Sequence, residues 1–125
     1  YMHCGAIRKV LLAWQTPTFI DEYFKTIIIH DQAFPHVRPD DLRGELKRIR
    51  QEGYAITRGE YVNDAVGIGA PVFNSEGELA GSIGIIAPEI RIDTPELLAT
   101  QRDLVQFYAS ALSSDLGYEK HDVFQ

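Results

Sequence analysis

The stretch VGIGAPVFNSEGELAGSIGII, Val66 to Ile86, decides how this chain folds. Two alternating runs flank NSEG, Asn74 to Gly77, and read as a β-hairpin closed by a four-residue turn. Strand side chains alternate between faces. With that turn Val72 stands opposite Leu79, Ala70 opposite Gly81, Ile68 opposite Ile83 and Val66 opposite Ile85, which makes one apolar face. The other face carries Gly67, Gly69, Pro71, Ala80, Ser82, Gly84 and Ile86 and is nearly bare. A slip of one residue would pair these small residues with Ile83 and Ile85 instead, so the reading hangs on turn length. Glycine weakens a strand interior. A bare face is therefore either the seat of a closely packed helix or the floor of a ligand space between sheet and helices.

Outward from the hairpin, the spacing predicts helices. Ile7, Val10, Leu11 and Trp14 fall on one helical face, opened by GAI and closed by TP. Thr16 and Pro17 then cap and start a second helix with Ile20, Tyr23, Phe24 and Ile27 inward. HDQAFPHVRP reads as a loop. Pro39 starts a third helix, with Asp40 and Asp41 favourable to its dipole, Leu42, Leu46 and Ile49 buried, and Gly53 as its stop. Tyr54 to Val62 reads as a strand. Thr94-Pro95-Glu96 opens the last helix, with Leu97, Leu104, Tyr108, Ala111 and Leu112 inward and Gly117 as its stop. The tail YEKHDVFQ is polar. The order is α-α-α-β-β-β-α.

A chain of 125 residues is enough for one domain with one core. A formal net charge of −6 argues against this chain gripping nucleic acid by itself, because phosphate binding leaves a basic footprint. Lys47 to Arg50 read as a solvated face. The single cysteine, Cys4, excludes an internal disulfide and points to a cytoplasmic protein. No run approaches the ~18 apolar residues of a membrane span. The start YMHCGAIRKVLLAW reaches a helical pattern with no lead-in, as a piece of a longer protein would, and upstream strands would complete the thin sheet.

Two stretches, HCGAIRKVLLA (His3 to Ala13) and LRGELKRIRQEGYAITRGEYVNDAVGIGAPVFNSEGELAGSIGIIAP (Leu42 to Pro88), resemble the effector-binding domain of IclR-type bacterial transcriptional regulators. The likeness runs from about Met2 to Leu116. It implies an α/β, GAF/profilin-like fold: an antiparallel sheet with helices on both faces. It implies that residues 1–125 form one effector-binding domain, with a winged helix-turn-helix DNA-binding domain outside this chain. It further implies a small carboxylate effector held by the amides of Ala6 and Ile7 and by sheet positions Thr57, Gly67, Gly84 and Ile86. Assembly as a homodimer or tetramer is expected, with DNA reached only through the absent domain and no membrane partner.

The residues fit an anion site. A helix N-terminus presents unpaired N–H groups and a partial positive charge, and Gly5 lets the backbone approach a ligand. Three of the implied sheet positions, Gly67, Gly84 and Ile86, lie on the bare face, which shifts its reading toward a pocket and toward the four-residue turn. By the resemblance, family members that take small oxo acids often carry polar groups at these three positions; here there are none, which suits a bulkier, more apolar acid such as an aromatic carboxylate. His3 is read as a capping or surface histidine with a ligand contact as the alternative, Cys4 as a small buried residue, and Thr57 as either a ligand contact or a solvent-facing threonine. Arg8 departs from the family pattern, pointing to solvent or leaning over the ligand. Glu60 is read as a structural hydrogen bond or ion pair.

An enzyme is not expected. Asp64 and Glu60 form no motif with a histidine, and Ser82 in AGSIG is no nucleophile elbow. His3, His30, His36 and His121 lack metal-ligand spacing, so neither a metal nor a cofactor is expected. The competing reading is an oligomerisation module with a vestigial pocket.

Overall fold

The computed structural model describes residues 2–28, 38–60 and 62–119. Most of the expected HDQAFPHVRP loop, most of the polar tail, and His30, His36 and His121 lie outside these residues. The described elements are α1 (Ala6–Ala13), α2 (Pro17–Tyr23) running into a π-helical turn (Phe24–Ile28), α3 (Pro39–Glu52), β1 (Ala55–Arg58), β2 (Ala65–Phe73), β3 (Leu79–Pro88), a 3-10 turn (Glu89–Arg91) and α4 (Pro95–Asp115).

Local chemistry sets most boundaries. Prolines open α2, α3 and α4, where a missing N–H costs nothing. Thr16 Oγ1 accepts from the N–H of Phe19 at 3.1 Å, and Thr94 Oγ1 from that of Leu97 at 3.2 Å. Gly53 ends α3 in the left-handed conformation at φ 82°, donating to the Ile49 carbonyl at 2.8 Å. The strand expected over Tyr54 to Val62 is shorter, because Gly59 turns at φ 64° and its N–H bonds back to the Ala65 carbonyl.

The sheet is antiparallel in the order β1-β2-β3. The hairpin register differs from the expected one. Phe73 pairs with Leu79, Val72 with Gly81, Ala70 with Ile83, Ile68 with Ile85 and Val66 with Ala87. Two irregularities cause this. Asn74 Oδ1 accepts from the N–H groups of Glu76 and Glu78, the Asn74 N–H bonds the Glu78 carbonyl, and Gly77 takes φ 78°, so the loop is one residue longer than four. A β-bulge at Ala80 then adds a second. Two one-residue slips sum to two, which returns every residue from Gly81 onward to its expected face. Only the turn end changes: Leu79 stands opposite Phe73.

Helices cover both faces. α4 lies on the bulky face, where Val66, Ile68, Ala70 and Val72 pack with Val105 and Ala109. Its inward stripe is Val105, Ala109 and Ser113, not the one expected: Leu97, Leu104, Tyr108 and Leu112 are 43–59% exposed. The helix rests its small residues on the sheet, which brings the two close, and turns its larger ones away. On the other face α1 lies against the glycines, backed by α3 through Leu42, Leu46 and Ile49, all buried as expected. Sandwiched on two sides, α1 buries Ala6, Lys9, Val10, Leu12 and Ala13, while the expected Ile7, Leu11 and Trp14 are half-buried. From α2 and its π-helical turn, Phe24 and Ile28 are buried, and Ile20, Tyr23 and Ile27 are half-buried.

Candidate functional site

Cross-strand pairing groups the expected site residues into rows. Thr57 pairs with Gly67 and Gly67 with Ile86, a line across all three strands. The adjacent same-face row is Ala55, Gly69 and Gly84. The first turn of α1 lies over both. A Cβ on Gly69 would come within 3.0 Å of the Ala6 carbonyl carbon and the Ile7 nitrogen, and one on Gly84 within 2.7 Å of Ile7 Cγ1. Ser82 Oγ donates to the Ile7 carbonyl at 2.9 Å, tying β3 to the helix. Gly69 therefore accommodates the helix, the close-packing alternative that the bare face left open, whereas a Cβ on Gly84 would first strike the Ile68 carbonyl of β2 and only then the Ile7 side chain.

Over Gly67 the contact is looser. Its Cβ position is 3.1 Å from Thr57 Oγ1, 3.4 Å from Ala6 Cβ and 3.7 Å from the Ala6 nitrogen. A cleft of about 20 Å³ remains there, lined by Thr57, Glu60, Val62, Ala65, Gly67 and Ile86. It has room for about one water molecule. Thr57 is buried at 5% exposure, so it faces the helix rather than solvent, whereas Ile86 is 61% exposed at the rim. The structure thus brings Ala6, Thr57 and Gly67 together with Ile86 beside them. Gly84 and Ile7 meet each other one row away, and neither lines the cleft.

Glu60 dominates the electrostatics of this corner. Gly5, the residue before α1, has φ 86°, and its N–H donates to Glu60 Oε1 at 3.3 Å. Glu60 Oε2 lies 2.6 Å from Lys9 Nζ, which also reaches Glu45 Oε1 at 2.7 Å. Lys9 is 2% exposed. A charge buried so deeply is tolerated because two carboxylates receive it. The carboxylate that a helix N-terminus favours is thus supplied from within, by the β1–β2 loop. That loop passes through Asp64 at φ 59°, whose carbonyl accepts from the Glu89 N–H at 2.8 Å.

Glu60 has the structural role its sequence position suggested. Lys9 and Glu45 were not singled out. Lys9 stands beside Arg8 in AIRKVLLA, and the sequence does not distinguish the buried cation from the other. His3 is fully buried, which corrects its surface reading, and its Nδ1 is 2.8 Å from the Tyr23 hydroxyl, which also accepts from the Met2 N–H at 2.7 Å. Cys4 is buried. Arg8 is half-buried on α1.

Comparison with known proteins follows the same lines. The uncharacterized HTH-type transcriptional regulator RhmR of Escherichia coli K12 is 33% identical over 94 residues, 74% of this chain and 36% of RhmR. The crystal structure of Thermotoga maritima IclR superposes with a TM-score of 0.80 at 26% identity, over 94% of this chain and 47% of that one. The inducer-binding domain of Acinetobacter PobR, solved as a double mutant in complex with 3-hydroxybenzoic acid, gives a TM-score of 0.79 over 90% of this chain and 66% of that one. At 19% identity that likeness is one of fold. This chain thus spans about half or less of the full-length regulators it matches, which are named as regulators and not enzymes. The family model for the C-terminal region of the bacterial transcriptional regulator IclR matches residues 1–114, so the chain belongs to the IclR family as its C-terminal domain.

Proposed function

We propose that this domain senses a small organic carboxylic acid, with aromatic acids the best-suited class, and that occupancy controls DNA binding by a helix-turn-helix domain outside this chain. The observation that carries the proposal is the row Thr57–Gly67–Ile86 facing the first turn of α1, with one hydroxyl and no charged side chain. The amides of Ala6 and Ile7 are the intended carboxylate donors, with Gly84 flooring the neighbouring row. The 3-hydroxybenzoic acid bound to PobR is of this class. A cleft of about 20 Å³ is far smaller than a benzoate, so binding would shift a population from this closed form to one in which the first turn of α1 and the Glu60 loop stand apart. Coupled through a homodimer or tetramer, that shift would reset the spacing of the DNA-binding heads. Such a regulator works in the cytoplasm, where its DNA is.

A thermal-shift series tests this. Benzoate and 3-hydroxybenzoate should raise the melting temperature, since a ligand at 100 times its Kd adds about 2.7 kcal/mol to the folded state. Ile86→Glu, a rim change at an exposed position, should abolish the rise with benzoate by placing a negative charge against the carboxylate. A rise with glyoxylate or pyruvate and none with the aromatic acids would refute the ligand class.

The small cleft itself favours a second reading, an oligomerisation module with a vestigial pocket. In that case the melting temperature stays flat for every acid, while a concentration-dependent dimer persists in sedimentation.

A further inference from the structure

We propose a second small-molecule site at the opposite end of the sheet, one that takes an aromatic monocarboxylate carrying a hydrogen-bonding ring substituent. The site arises from a mismatch in strand length. β1 begins at Ala55, which pairs with Gly69, but β2 continues to Phe73. Among the described residues, none forms a strand beside residues 70–73 on the β1 side. The gap is a cavity of about 600 Å³, within the range of roughly 300–1,000 Å³ typical of ligand pockets.

An added peptide strand does not suit this gap. The Ala65 carbonyl accepts from Gly59 on the β1 side, so by alternation the backbone groups of residues 71 and 73 also point that way. Pro71 has no N–H. The Phe73 N–H is already taken by Ser113 Oγ at 2.9 Å, and that hydroxyl donates onward to the Ala109 carbonyl at 2.9 Å. The edge has no N–H to offer a strand and is blunted against pairing.

The lining specifies a ring and an anion. Trp14 meets Phe73 edge-on with centroids 5.9 Å apart, and Phe73 meets Tyr118 at 5.1 Å. Such a wall receives a further ring by offset or edge contact. Arg50 Nη1 donates to the Ala13 carbonyl at 3.3 Å. That bond uses one of the guanidinium's five N–H groups, and the planar fork suits a carboxylate. Glu52 shares the rim, which disfavours a second negative charge on the ligand. Gln51, Gln106 and Ser110 supply partners for a ring hydroxyl or amine. Trp14 follows the end of α1 and Ala6 begins it, about 12 Å of helix apart, so this site is separate from the cleft at Gly67 and does not depend on it.

Trp14 is the only tryptophan in the chain, so its indole N–H resonance reports on this cavity. Titration with 3-hydroxybenzoate should shift that resonance saturably. Arg50→Leu should weaken binding about tenfold or more, Ser110→Phe should fill the cavity and abolish the shift, and Ile86→Glu should leave the affinity unchanged. Melting curves of each variant establish that it is folded, and Arg50 is an exposed position. A resonance that does not move, or an affinity unaltered in both Arg50→Leu and Ser110→Phe, overturns the proposal. Loss of the shift in Ile86→Glu alone also overturns it, while leaving the effector cleft standing.

Discussion

The two faces of this small sheet are sealed in opposite ways. On the α4 face Val66, Ile68, Ala70 and Val72 meet Val105 and Ala109, and cohesion comes from buried apolar volume. On the α1 face the glycines strip the sheet to its backbone, and the helix sits on it with Ile7 against Gly84 and Ser82 bonded to the Ile7 carbonyl. There the buried side chains include a lysine, a histidine and a threonine. A face filled by bulk tolerates little loss of volume; a face closed by backbone contact tolerates little gain. The polar corner at Glu60 belongs to the second kind, because only a close-lying helix start can share its amide with a strand loop.

Substitutions should separate the two regimes. Ile68→Ala, fully buried on the bulky face, should cost about 4 kcal/mol through lost transfer energy and the cavity left behind, read as a fall in denaturant midpoint. Removing the buried cation comes next. Lys9→Met strands Glu45 and Glu60 and should cost about 3 kcal/mol; adding Glu60→Gln should recover part of that loss, whereas independent sites would add. Gly69→Ala, adding one methyl where the helix backbone lies 3.0 Å away, should cost about 2 kcal/mol by overpacking. A Gly69→Ala variant as stable as the parent would mean that α1 is not seated on the glycines, and the contrast between the faces would collapse.

Much of this was legible in the sequence. The glycine-rich face, the glycine stop of α3, the proline starts of three helices and the buried stripe of Leu42, Leu46 and Ile49 all follow from local rules. The face of α4 did not. Leu97, Leu104, Tyr108 and Leu112, large apolar residues on one stripe, were the natural choice for the inside, yet the sheet receives Val105, Ala109 and Ser113. Periodicity finds a stripe but cannot weigh two competing ones when tertiary packing prefers the smaller. For the candidate site, alternation along the strands put Thr57, Gly67 and Ile86 in one row. Alternation could not say how far the helix descends, and so could not tell a ligand's room from a helix's seat. The Lys9–Glu45–Glu60 cluster joins three elements distant in sequence and leaves no local trace.

The hairpin register carries a further consequence. An extra loop residue before Glu78 and a bulge at Ala80 each invert the strand, and together they restore it. Parity, not turn length, is what this hairpin conserves. Deleting either residue alone would turn Ile83 and Ile85 toward α1 and Gly84 toward α4, exchanging both interiors at once; deleting both would leave them where they are. Insertions and deletions between Phe73 and Gly81 should therefore be tolerated in even numbers and rejected in odd ones.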